Sequence, residues 1–112
     1  MFPFTKLNGE RYYLNLMLIE RIELSGGLIL HFTQNNQTHR VKDGVDELED
    51  LLNRYFIKLT KLNGDIFYLN HALIELIEGN PSTVIFLTNA NYHVVLENPE
   101  EIVQMINDKK ES

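Results

Sequence analysis

The carboxylates Glu20 and Glu23 recur as Glu75 and Glu78, each pair separated by two residues. On a helix that spacing places both side chains on one face, where two carboxylates can divide general acid and base roles or share a divalent cation. Both pairs lie among apolar residues, in LIERIE and LIELIE, at positions that read as the solvent side of an amphipathic segment. A solvated acidic face is therefore expected. His31, His39, His71 and His93 show no H-x-x-x-H or H-E-x-x-H spacing. Aligned at the repeat offset described below, they fall opposite Phe86, Val94, Leu16 and Thr38, so none recurs. Ser25, Ser82 and Ser112 lack a nucleophile elbow, and Gly26-Gly27 reads as a turn between apolar stretches rather than a phosphate loop. The chain has no cysteine, which excludes disulfides and thiolate metal sites and suits a reducing compartment. No catalytic residue, metal site or cofactor is expected.

The elements that position these residues come in two sets. TKLNGERYYLN at Thr5 to Asn15 returns as TKLNGDIFYLN at Thr60 to Asn70, and 13 of the 19 residues between Thr5 and Glu23 are identical 55 positions later. Farther on, LILHFTQNNQTHRV lies over TVIFLTNANYHVVL, with pattern kept and identity lost. Such self-similarity is the mark of an internal duplication, with repeats at 1–56 and 57–112. Units this short bury little surface alone, so two halves sharing a core are expected. YFIKL, at the join, holds no Gly, Pro or Ser, so the first helix should run directly into the next strand without a flexible tether.

Within each copy, Asn8-Gly9 and Asn63-Gly64 are structural turn residues, read as type I′ turns with two positive φ angles. Asn15 and Asn70 are good N-caps for a helical turn leading into a short strand. A second hairpin follows around TQNNQT and TNANYH, and each copy closes with a helix. Asp43 is the expected cap of the first helix, whose apolar stripe is Val45, Leu48, Leu51, Leu52 and Tyr55. For the second, Asn98 caps, Pro99 takes the first helical position, Glu101 completes a capping box, and Lys109-Lys110 complement the dipole. The fold class is α+β: two pseudo-symmetric copies of a small antiparallel sheet or partial barrel, each with a C-terminal helix, packed about an approximate two-fold.

Bulk properties narrow the function. The 112 residues carry a net charge of −6, and both halves are acidic. No basic run exceeds Lys109-Lys110, which argues against a surface that neutralises phosphates. No apolar run approaches the roughly 20 residues needed to span a bilayer, and MFPFTKLNGE lacks the pattern of a secretory signal.

Phe56 to Val95, with its opening IKLTKLNG, the FYLN strand, the LIELIE segment and the STVIFLTN strand, resembles the FlbD/SwrD family of flagellar and swarming-motility proteins. The first copy looks like a drifted member that keeps TKLNG, YYLN and LIERIE. The resemblance implies a non-enzymatic cytoplasmic accessory, at the inner face of the membrane near the flagellar motor, that raises motor power through stator or rotor proteins. It supplies no catalytic residues. Tyr13, Asn15, Glu20, Tyr68, Asn70 and Glu75, the residues kept in both copies beyond the needs of turn and core, are the candidate partner-binding set. Open strand edges suit addition of a strand from a partner or from a second copy in a homo-oligomer. The alternative is a regulatory nucleic-acid-binding protein of flagellar genes, disfavoured by the acidity.

Overall fold

Alternating apolar residues and turn signals build ten strands and two α-helices in the computed structural model, which describes residues 1–111 with side chains through Lys109. The expected dipole contribution of Lys110 lies outside the described side chains. In the first half the elements are β1 (Phe2–Thr5), β2 (Arg11–Leu14), a 3-10 turn (Leu16–Leu18), β3 (Ile19–Leu24), β4 (Leu28–Phe32), β5 (Thr38–Val41) and α1 (Glu49–Tyr55). The second half repeats the order: β6 (Phe56–Thr60), β7 (Ile66–Asn70), a 3-10 turn (His71–Leu73), β8 (Ile74–Glu78), β9 (Thr83–Leu87), β10 (Tyr92–Val95) and α2 (Pro99–Glu111). As the composition of the join implies, α1 ends at Tyr55 and β6 begins at Phe56.

The turns follow from side-chain chemistry, with one correction. Of each Asn-Gly pair only the glycine takes a positive φ, Gly9 at 94° and Gly64 at 93°. Gly9 N donates to Lys6 O while Lys6 N donates to Glu10 O, so the hairpin is a three-residue loop whose left-handed third residue closes a bulge, and no type I′ turn. The type I′ signature falls at Asn35 and Asn36, whose φ angles are 59° and 51°. Asn15 and Asn70 cap their 3-10 turns as expected, accepting from Met17 N at 3.0 Å and Ala72 N at 3.1 Å.

The two helices begin differently. Asn98 Oδ1 accepts from Glu101 N at 2.9 Å, and the Glu101 carboxylate reaches back to Asn98 N, forming the expected capping box. Asp43 does not cap α1. Its carboxylate accepts from Thr5 N at 2.6 Å and Thr5 Oγ1 at 3.3 Å, tying the helix approach to β1. Glu97 binds Thr60 N and Oγ1 in the same way. With Gly44 where the second half has Asn98, no side chain is left to cap, and α1 starts only after Leu48.

The sheets are open, with strand orders β1-β2, β10-β9-β8 and β5-β4-β3-β7-β6. Single bridges, Lys6 with Val41 and Lys61 with Val95, attach the first hairpin of each half to its last strand. The buried apolar residues form two clusters rather than one shared core: one around Phe4, Ile19, Ile22, Leu30, Leu52 and Phe56, the other around Ile57, Leu59, Phe67, Leu69, Ile85 and Ile102. What joins the halves is β3 of the first paired antiparallel with β7 of the second, Arg21 opposite Leu69, Ile22 opposite Tyr68 and Glu23 opposite Phe67. A two-fold would also pair β8 with β2, yet among the described residues β8 pairs only with β9 and β2 only with β1. The contact is head-to-tail, not two-fold.

Candidate functional site

At the joint the chain concentrates its buried charge. β3 pairs with β4 through Ile19–Phe32 and then Arg21–His31, leaving Glu20 as the extra residue of a β-bulge. The bulge breaks strand alternation, so Ile19 and Glu20 are both buried, Glu20 with no exposed surface. The expected solvated face is thereby corrected for this pair: it lies on a strand, and Glu20 points into the joint. At the same bulge of β8, between Ile74 and Leu76, Glu75 is exposed, as is Glu78.

Four groups surround Glu20. Asn89 Nδ2 and Asn91 Nδ2 donate to Oε1 at 2.8 and 2.5 Å. Arg21 and His93 approach Oε2, His93 Nε2 at 2.9 Å. Against an ionised carboxylate His93 must donate from Nε2. Burial alone would raise the Glu20 pKa, but the hydrogen bonds from His93, Asn89, Asn91 and Arg21 outweigh it and hold the carboxyl far below its ordinary range. Asn89 Nδ2 also reaches Thr33 O at 3.1 Å, binding the β9–β10 turn to the first half.

Glu23 extends the cluster. Arg21 Nε donates to it at 3.1 Å, His31 Nε2 lies 2.8 Å away, and Lys61 of the second half bonds its other oxygen. Burial opposes ionisation here too, and Lys61 and Arg21 overcome it, lowering the pKa. His31 is pushed down, chiefly by burial and then by Arg21. On the other side of the joint Asn70, almost fully buried, donates from Nδ2 to Leu16 O at 3.2 Å and Ile19 O at 3.1 Å. A groove of about 380 Å³ between α1 and the second half, lined by Leu52, Asn53, Tyr68 and Met105, is crossed by Lys109, which bonds Asn53 O.

With both oxygens occupied and no face open to solvent, Glu20 can neither offer a proton to a substrate nor bind one. The arrangement is a clamp. Of the six residues expected to meet a partner, Glu20 and Asn70 are turned inward and meet the other half of the chain, and Tyr68 pairs across the joint with Ile22. Tyr13, Asn15 and Glu75 are exposed. Arg21, Lys61, Asn89, Asn91 and His93 escaped the sequence reading. The signal was present: the β9–β10 turn is one residue shorter than β4–β5, so beyond it the offset between halves falls to 54. His39, opposite Leu30, then matches His93, opposite Ile85, and the inference that no histidine recurs is overturned.

With this geometry in hand, the family follows from comparison. The model of the FlbD family, flagellar and swarming motility proteins, matches residues 56–112. The chain belongs to this family. The matched segment runs from β6 through α2 and contains both the β7 edge used at the joint and the β8 edge. A comparison with curated proteins finds no match. Among the described residues no helix is long and apolar enough to cross a membrane.

Proposed function

We propose that the protein is a non-enzymatic, cytoplasmic accessory of the flagellum that raises motor power by contacting motor proteins on the stator or rotor side. Family membership across the whole second half carries this reading. The clamp supports it, because the most strongly perturbed carboxylate binds the chain to itself and performs no chemistry. The halves are two copies of one unit, fused so that one contact between units is built in. Tyr13, Asn15 and Glu75, together with the exposed apolar Leu62, Leu76 and Tyr92, form the surface offered to other proteins at the membrane's inner face.

Tethered-cell rotation in a strain lacking the protein, with flagella counted on the same cells, tests the reading. Low torque with normal flagellar number is the expected result. Normal torque with fewer flagella would transfer the role to regulation, and no change in either would remove the motility function.

A further inference from the structure

The joint uses one edge from each half and leaves the counterpart of each unpaired. β3 of the first half meets β7 of the second, while β8, the counterpart of β3, and β2, the counterpart of β7, end their sheets. Most of the residues that make the joint recur on or beside those two edges. Glu20 and Glu23 correspond to Glu75 and Glu78, and Lys61, Tyr68, Asn70 and His93 correspond to Lys6, Tyr13, Asn15 and His39. Burial separates the sets: Glu20 is 0% and Asn70 4% exposed, whereas Tyr13 is 64% exposed and Glu75 and Asn15 lie in solvent.

Charge decides how a second copy fits. The β8 edge presents Glu75 and Glu78; at the β2 edge stand Arg11 and, beside it, Lys6 with its partner Glu10, while the half-buried His39 lies behind on β5. Pairing β8 with β8, or β2 with β2, sets like charges opposite one another, which destabilises a strand pair. Pairing β8 with β2 sets opposite charges together. Lys6 is held by Glu10, in a 3.8 Å surface pair of little energy, and lies over the Tyr12 ring, 5.5 Å from its centroid. Arg21, which has no counterpart, is replaced by Leu76, and its strand partner Leu69 by Leu14, so an aliphatic pair takes that position and Glu75 and Glu78 have no arginine between them.

We propose that the chain assembles head to tail with copies of itself, β8 of one copy adding antiparallel to β2 of the next. The register is that of the internal joint: Leu76 opposite Leu14, Ile77 opposite Tyr13, Glu78 opposite Tyr12. Glu75 then takes the amides and imidazole of the β4–β5 hairpin, and Glu78 takes Lys6. A heterologous contact of this kind closes into a ring or continues as a filament. Because each chain carries two units, every ring holds an even number. The proposal stands independently of the role in motility.

Sedimentation equilibrium of the purified chain over a concentration series tests it. Wild type is expected at multiples of 13.1 kDa, and a mass of 13.1 kDa at every concentration would overturn the proposal. Two charge-swap variants then fix the geometry, Glu75→Lys with Glu78→Lys, and Lys6→Glu with Arg11→Glu. Each alone places like charges on both edges and is expected to be monomeric with an unchanged circular dichroism spectrum. Mixing them restores opposite charges at every contact and is expected to restore assembly. If either variant alone keeps the wild-type mass, the contact does not join β8 to β2.

Discussion

The Glu20 carboxylate and the His93 imidazole lie 2.9 Å apart although 73 positions separate them in the chain, and their contact joins those of Asn89 and Asn91 in fastening the β9–β10 hairpin to β3. A buried carboxylate held by Arg21, two amides and a histidine is destabilising to truncate, since the donors lose their acceptor without regaining water. Glu20→Ala is expected to cost about 3–5 kcal/mol in urea unfolding followed by circular dichroism. Glu75→Ala, at the exposed counterpart, is expected to change stability by less than about 0.5 kcal/mol. Equal effects at both positions would mean the clamp contributes nothing.

Acid should loosen the same cluster. The Glu20 and Glu23 carboxyls sit below their ordinary value of 4.5, and His31 sits below 6.5. A group whose folded pKa is depressed stabilises the fold above its unfolded pKa and loses that contribution as pH falls. Stability should therefore decline gently below pH 6.5 and steeply below 4.5, and Glu20→Gln should flatten the steep limb. Thermal melts across that pH range provide the check, and an unchanged limb in the variant would assign the acid sensitivity elsewhere.

Asn70 has two functions where Asn15 has one. Both cap a 3-10 turn, but only Asn70 also donates to Leu16 O and Ile19 O inside the joint. Asn70→Ala is expected to cost about 2–3 kcal/mol, a lost cap plus buried carbonyls left without their donor. Asn15→Ala should cost about 1 kcal/mol or less. Chemical denaturation of the pair measures the difference.

Ala90 occupies a position suited to glycine. Its φ is 74°, and its N–H donates to Leu87 O at 3.1 Å, closing the β9–β10 turn as Gly9 and Gly64 close theirs. A β-carbon in that conformation is strained by about 1–2 kcal/mol, part of which glycine returns as unfolded-chain entropy. Ala90→Gly should raise stability by about 0.5–1 kcal/mol, seen as a higher melting temperature. A lower one would show that the turn is not strained.

Local chemistry was legible in the sequence wherever the deciding residues are neighbours. The Asn98 capping box, the caps at Asn15 and Asn70 and the direct join at Tyr55–Phe56 all follow from short stretches of chain. What escaped depends on partners far away. Asp43 resembles a helix cap until Thr5, 38 residues earlier, claims it. The burial of Glu20 comes from a bulge, which has no fixed residue signature, and LIERIE fits a helix as well as a bent strand. His93 stayed hidden because the β9–β10 turn is one residue shorter than β4–β5, which puts the two halves of the sequence out of step beyond it.

The absence of a spacer between Tyr55 and Phe56 also sets an order of events at the ribosome. β3 is complete once Leu24 has been added, but the strand that covers its edge ends at Asn70. At about 5–20 residues per second the intervening stretch takes roughly 2–9 s to make, during which a nascent chain carries an open, partly apolar edge. Direct continuation from α1 into β6 holds the arriving hairpin at high local concentration beside that edge, so the first strand to reach it is the chain's own and not a neighbour's.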